Sequence, residues 1–136
     1  MEFRAVMTIP PVEQQVTFIY AHDLERTAEF YGTVLGLEQV LDQGACRIFR
    51  VAGEAFLGVC SKGKRSPAPG GVIVTLVTPE VDAWYERLRE RGVPLDGPPT
   101  RNETYRVYNF FAHDPNDYLV EFQSFLDPAW PSPAGR

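Results

Sequence analysis

The order of strand-like and helix-like segments that begins at Val16 begins again at Val72, and this repeat constrains the fold more than any other feature of the chain. The first unit opens with the β-rich run VTFIYA, Val16 to Ala21. In the next stretch, HDLERTAEFYGTVLGL, Leu24, Ala28, Tyr31 and Leu35 recur at helical spacing and Gly36 supplies a stop. Three short β-rich runs follow, EQVLDQ, CRIFRVA and EAFLGVC, with Gly53 parting the last two as a hairpin. The second unit opens with VIVTLV, Val72 to Val77. Its helix is expected in TPEVDAWYERLRERG, capped by Thr78, with Pro79 in the first turn and Gly92 at the end. Val81, Trp84, Tyr85 and Leu88 give that helix one apolar stripe. VPLDGPP reads as a weak strand, YRVYNFFA and YLVEFQSF as strong ones. Val16 and Val72 are 56 positions apart, as are Gly36 and Gly92, so they are taken as equivalent.

Each unit alone is a four-stranded sheet with one helix, which leaves one sheet face uncovered. Two units, or two chains, can build a concave cup from those open faces. The expected fold is α+β: two tandem βαβββ modules forming a cup-shaped, partly open mixed sheet. The modules span residues 14–62 and 72–125 of one domain, with a linker at 63–71 and an irregular tail at 126–136. Lys62, Lys64 and Arg65 begin the linker region, either as a solvated loop or as an anion patch. Trp130 is placed to pin the tail to the surface.

The net charge of −5 argues against nucleic acid as a partner, since phosphate binding needs a basic face. No apolar run approaches the roughly 20 residues of a membrane-spanning helix. The start, MEFRAVMTIPPVEQQ, has an early acid and no long apolar core, unlike a signal peptide. The chain is therefore expected in the cytoplasm, with Cys46 and Cys60 reduced although a hairpin would make them cross-strand neighbours. No phosphate loop, nucleophile elbow or paired-cysteine zinc motif is present.

Two local motifs carry a resemblance. DLERTAEFYGTVLGL presents Asp23, Leu24, Phe30, Tyr31, Leu35 and Gly36, and DPNDYLVEF presents Asp114, Pro115 and Glu121. In both, across about residues 14–125, the chain resembles the vicinal oxygen chelate superfamily of glyoxalases, bleomycin-resistance proteins and extradiol dioxygenases. That family usually has Gly where this chain has Asp117. The resemblance implies a small-molecule cup and a homodimer. It also implies four equivalent strand positions for metal ligands, two per module. By the repeat these fall on Val16, Gly58, Val72 and Glu121, and only the last is a donor. A one-residue slide would bring in Gln15. The family's usual metal site is therefore not expected, and no cofactor is. A divalent metal held by Glu121 with His22, His113, Gln43 or Asn109 is the alternative.

Strand alternation puts Leu119, Glu121 and Gln123 on the cup face and Tyr118, Val120 and Phe122 against a helix. By the same alternation Phe18 and Tyr20 face the cup with Val16, and Phe56 and Cys60 with Gly58. A five-residue hairpin loop would set Asn109 and Phe111 beside Glu121. Phe18, Tyr20, Phe56, Cys60, Asn109, Phe111 and Glu121 are the expected ligand-binding residues, and Glu121 the expected catalytic one. Three functions remain open: a binding module that holds a small organic molecule in a metal-free cup, a lyase, isomerase or dioxygenase built on a metal or on Glu121 as general base, or a protein whose dimer surface is its function. An ion pair between Glu121 and Arg47, Arg50 or Arg106 would instead make it structural. His22 and His113 read as capping or turn-stabilising residues.

Overall fold

A computed structural model describes residues 9–61, 66–131 and 133. The linker residues Lys62, Lys64 and Arg65 lie outside them. The first module runs β1 (Gln15–Ala21), α1 (Leu24–Glu29), β2 (Glu38–Asp42), β3 (Cys46–Ala52) and β4 (Ala55–Ser61). The second runs β5 (Ile73–Val77), α2 (Val81–Glu90), β6 (Thr100–Asn102), β7 (Val107–His113) and β8 (Leu119–Phe125). The sheet orders β1-β4-β3-β2 and β5-β8-β7-β6 are the same permutation. In each sheet the outer pair, β1 with β4 and β5 with β8, is parallel and the rest is antiparallel. These are two tandem βαβββ modules with open, mixed sheets.

The local chemistry explains most element ends. Asp23 caps α1 by accepting from the Arg26 amide at 3.1 Å. The helix then widens into a π-helical turn, Phe30–Val34, closed by Leu35 N–H on the Phe30 carbonyl at 2.9 Å. Gly36 follows at φ 75°, a conformation open to glycine at little cost. Two expectations about the second module are corrected. Thr78 does not cap α2: its hydroxyl accepts from the Glu80 amide at 3.0 Å, and the helix begins at Val81 behind Glu80. VPLDGPP gives only an isolated bridge, Leu95 to Ala112, and the strand forms later, at Thr100–Asn102, because Pro94, Pro98 and Pro99 have no amide to donate.

The uncovered sheet faces point outward, and the helix-bearing faces share one core. Tyr31, Phe49, Leu57 and Val59 from the first module and Leu88, Val120 and Phe122 from the second are all buried in it. Phe122 is stacked between Trp84 at 5.0 Å and Phe110 at 5.1 Å, which fastens α2 to its sheet. Polar bonds lock the modules together. The Tyr31 hydroxyl donates to Asp114 at 2.8 Å, Asn116 donates to Thr27 at 3.1 Å, and the His22 amide donates to Asn116 at 2.8 Å. The tight β7–β8 turn that makes these contacts needs a left-handed residue. Asp117 supplies it at φ 68° and accepts a hydrogen bond from the His113 ring at 2.6 Å, so the turn survives without glycine.

The two cysteines are bonded. Cys46 and Cys60 face each other across β3 and β4 and form a disulfide, which overturns the expectation of reduced thiols. The pairing itself is the cross-strand one that the Gly53 hairpin predicts.

Candidate functional site

The closing strand of the second module behaves as its alternation predicts. Val120 and Phe122 are buried in the core, and Glu121 points the other way, onto the open face. It is only 9% exposed. Its direct cross-strand neighbour is Phe111 on β7, and Asn109 pairs with Gln123 two residues on. The His113–Leu119 pair leaves a five-residue loop between the strands, as expected. Asn109 Nδ2 donates to Glu121 Oε2 at 2.7 Å. Thr75 Oγ1 donates to Glu121 Oε1 at 2.9 Å from the parallel neighbour β5. The carboxylate is thus held by one neutral donor on each oxygen. Among the described residues no arginine pairs with it. Arg47 pairs with Glu25 on the helix face, Arg50 with Glu38 at 3.4 Å, and Arg106 with Asp127 at 3.5 Å. The ion-pair explanation for Glu121 is therefore replaced by two hydrogen bonds.

Glu121 lies in the wall of a cavity of about 500 Å³, within the usual range for small-molecule sites. Asn109, Phe111, Tyr105, Phe125 and Gln123 line it as well. Of the residues singled out from sequence, Asn109, Phe111 and Glu121 meet here. Phe18, Tyr20, Phe56 and Cys60 share the open face of the other sheet and do not line this cavity. His113 is held between Asp96 at 2.7 Å and Asp117 at 2.6 Å, and the Asp96 hydrogen bond, then that of Asp117, raises its pKa against the pull of burial. It stabilises the turn and takes no part in the cavity. His22 is exposed.

Sequence reasoning missed Thr75, and the reason is a register error of one residue. The sheet pairs Val16 with Phe56 and Ile73 with Leu119, so Ile73, not Val72, is the partner of Val16. A shift of one residue turns every side chain to the other face. Val72, Val74 and Leu76 pack on the core, while Ile73, Thr75 and Val77 lie on the open face. The correct parity of β5 would have shown Thr75 beside Glu121.

The first module's half of the cup is built differently. Arg50, Ile48 and Cys46 share its open face with Phe56, Gly58 and Cys60, and the Arg50 guanidinium sits 4.9 Å from the centre of the Phe56 ring. Phe18 pairs with Gly58 and its ring crosses the glycine. A Cβ at residue 58 would lie 2.3 Å from Phe18 Cδ1 and 2.4 Å from Cε1, closer than atoms tolerate. Gly58 is thus the seat of the Phe18 ring. Gly58→Ala is expected to cost about 1–3 kcal/mol by overpacking. Phe18→Ala should remove that penalty in the double variant, and denaturant unfolding of the four proteins measures the coupling.

These positions test the fit of a divalent metal. A catalytic divalent site needs about three protein ligands and an open position. The four equivalent positions are Val16, Gly58, Ile73 and Glu121, which offer one donor. An aromatic ring crosses Gly58, and both Glu121 oxygens already accept hydrogen bonds. Among the described residues, no group of three or more His, Cys, Asp or Glu is placed to hold a metal ion. The residues do not fit the group.

Comparison with known proteins agrees with the architecture. Solved structures that resemble it include a glyoxalase/bleomycin resistance protein/dioxygenase from Nocardioides, at 25% identity and TM-score 0.70, covering 98% of this chain and 96% of that one. A lactoylglutathione lyase from Agrobacterium tumefaciens is 26% identical at TM-score 0.70 over 85% of this chain and 95% of that one. A glyoxalase-related enzyme from Fulvimarina pelagi shares the fold at 21% identity and TM-score 0.73, over 90% and 94%. Residues 13–122 match the description of one family. With that match and the duplicated βαβββ sheets, the chain belongs to the Glyoxalase/Bleomycin resistance protein/Dioxygenase superfamily.

Proposed function

We propose that this superfamily member binds a small organic molecule, oriented by Glu121, and does so without the family's usual metal. The observation that carries the reading is the seating of Glu121: nearly buried, opening on a cavity, held by Thr75 and Asn109, and the single donor among the four equivalent strand positions. A carboxylate only accepts hydrogen bonds and has capacity beyond one per oxygen, so a ligand donor can share it. Val16, Phe18, Ile73 and Val77 expose apolar surface on the open faces, which fits coverage by a second copy in a homodimer. Among the described residues no helix is long and apolar enough to cross a membrane.

Enzymatic turnover is the second reading, supported by the likeness to a lactoylglutathione lyase. Thermal stability after exhaustive chelation, then with Zn²⁺, Mn²⁺, Fe²⁺, Co²⁺ or Ni²⁺ restored, separates the metal-free reading from a metal-dependent enzyme. A native-state ligand at a hundredfold excess over its Kd stabilises by about 2.7 kcal/mol. The expected result is no shift with any metal, and stabilisation by members of a small-organic panel that Glu121→Gln abolishes. A shift with one metal, lost in Glu121→Gln, establishes a metalloenzyme and overturns the metal-free reading.

A further inference from the structure

We infer that the ligand of the Glu121 cavity is an organic cation, a protonated or quaternary amine carried on an apolar body. This rests on the reading of Glu121 as a ligand-orienting carboxylate and names the chemical class that it selects.

The charge balance comes first. Among the described residues that line the cavity, Glu121 alone carries a formal charge. Its two protein partners are a neutral hydroxyl and a neutral amide. These hold both oxygens in place but bring no opposite charge, so acceptor capacity for a charged donor remains. Among the described residues, the arginines of the neighbouring strands and turns pair elsewhere: Arg50 with Glu38, Arg101 with Glu103 at 3.5 Å, and Arg106 with Asp127. A cation that enters with the ligand supplies the missing charge. The overall charge of −5 adds a long-range attraction of the same sign.

Aromatic geometry points the same way. Phe111 stands across the strand from Glu121, and Phe125 and Tyr105 complete an aromatic wall. Tyr105 stands in the turn before β7 and is 73% exposed, so its ring is accessible from the cavity mouth. Behind Phe125 the tail folds back. Asp127 accepts from the Ala129 amide at 2.9 Å, and its carbonyl accepts from the Trp130 amide at 3.1 Å. That turn lays the Trp130 indole on the Phe125 ring at 3.7 Å and 12°, the indole half exposed. Ring faces are the negative ends of aromatic quadrupoles and attract cations, quaternary ammonium above all, because it sheds water easily and cannot be served by a single hydrogen bond. A carboxylate in an aromatic wall discriminates an ammonium from a neutral group of equal size. Asn109 and Gln123 offer amides to the polar groups of the ligand body.

The test compares benzyltrimethylammonium with 2-methyl-1-phenyl-2-propanol, its uncharged near-isostere, by calorimetric titration and by tryptophan fluorescence. The expected result is that the cation binds at least tenfold more tightly than the alcohol and changes the indole emission. Glu121→Gln should weaken the cation at least tenfold and leave the alcohol within twofold. Trp130→Ala, a surface change that leaves the core intact, should weaken the cation about three- to tenfold. Thermal unfolding of each variant confirms that it is folded before it is titrated. Equal affinity for the two probes, or an affinity for the cation unchanged in Glu121→Gln, overturns the cation class. If neutral compounds of the panel stabilise the protein while the cation does not, the class falls and small-molecule binding stands. If nothing in either set binds, the binding reading falls with it.

Discussion

Asp114→Ala will cost about 4 kcal/mol of stability and lower the melting midpoint by roughly 12 °C, more than any change in the cavity. Asp114 is 5% exposed and accepts three bonds: from the Tyr31 hydroxyl at 2.8 Å, the Asn116 amide at 2.7 Å and the Tyr118 amide at 2.9 Å. Truncation leaves three buried donors without a partner, each worth about 1–3 kcal/mol, with partial relief from water. The loss also unties the modules, because Tyr31 comes from the first and Asp114 from the second. Asp114→Asn keeps an acceptor for the two amides and should cost less than half as much. Chemical denaturation of the three proteins measures both. A loss below about 1 kcal/mol for the alanine variant would show that the turn is held by its backbone alone.

The same residue makes stability depend on pH. Burial pushes the Asp114 carboxyl above its usual range, against the lowering effect of the Tyr31, Asn116 and Tyr118 donors. A raised folded value means that ionisation costs the folded state. The contribution is full below the unfolded value and is lost as pH rises through the folded one. Wild-type stability relative to Asp114→Asn should therefore fall as pH rises across that window. A difference that grows with pH would place the net balance with the donors rather than with burial.

Reduction of Cys46–Cys60 will lower stability by about 3 kcal/mol, from the freedom that the unfolded chain regains when a loop of about 15 residues is opened. The midpoint should fall by roughly 10 °C. Cys46→Ala with Cys60→Ala should match the reduced protein and lose its response to dithiothreitol. Thiol titration of the unfolded, unreduced protein should find no free thiol, and two after reduction. Two free thiols at the outset would restore the cytoplasmic expectation of a reduced pair, for which the strand pairing suffices without the bond.

What was legible in the sequence was whatever a few consecutive residues decide. The period of two along Leu119–Gln123 sent Glu121 to the open face, and the period of 3.6 along Val81–Leu88 gave α2 its buried stripe. Gly36, Gly53 and Gly92 mark the ends because each takes a positive φ that neighbours with a Cβ resist. The repeat then fixed the class of fold, since two half-covered sheets have few ways to hide their apolar faces. What the tertiary structure decided was every relation between segments far apart in the chain. The run VIVTLV is apolar on both faces and has no alternation to set its parity, so only pairing with β8 shows that Thr75 and not Val72 or Val74 stands beside Glu121. Gly58 reads as a silent position until Phe18 is seen across it. Trp130 reads as a surface anchor until the Asp127 turn lays it on Phe125. Local periodicity is set by backbone geometry that each segment carries alone, whereas register, stacking and the partner of a buried carboxylate are settled by packing between segments that the sequence does not place side by side.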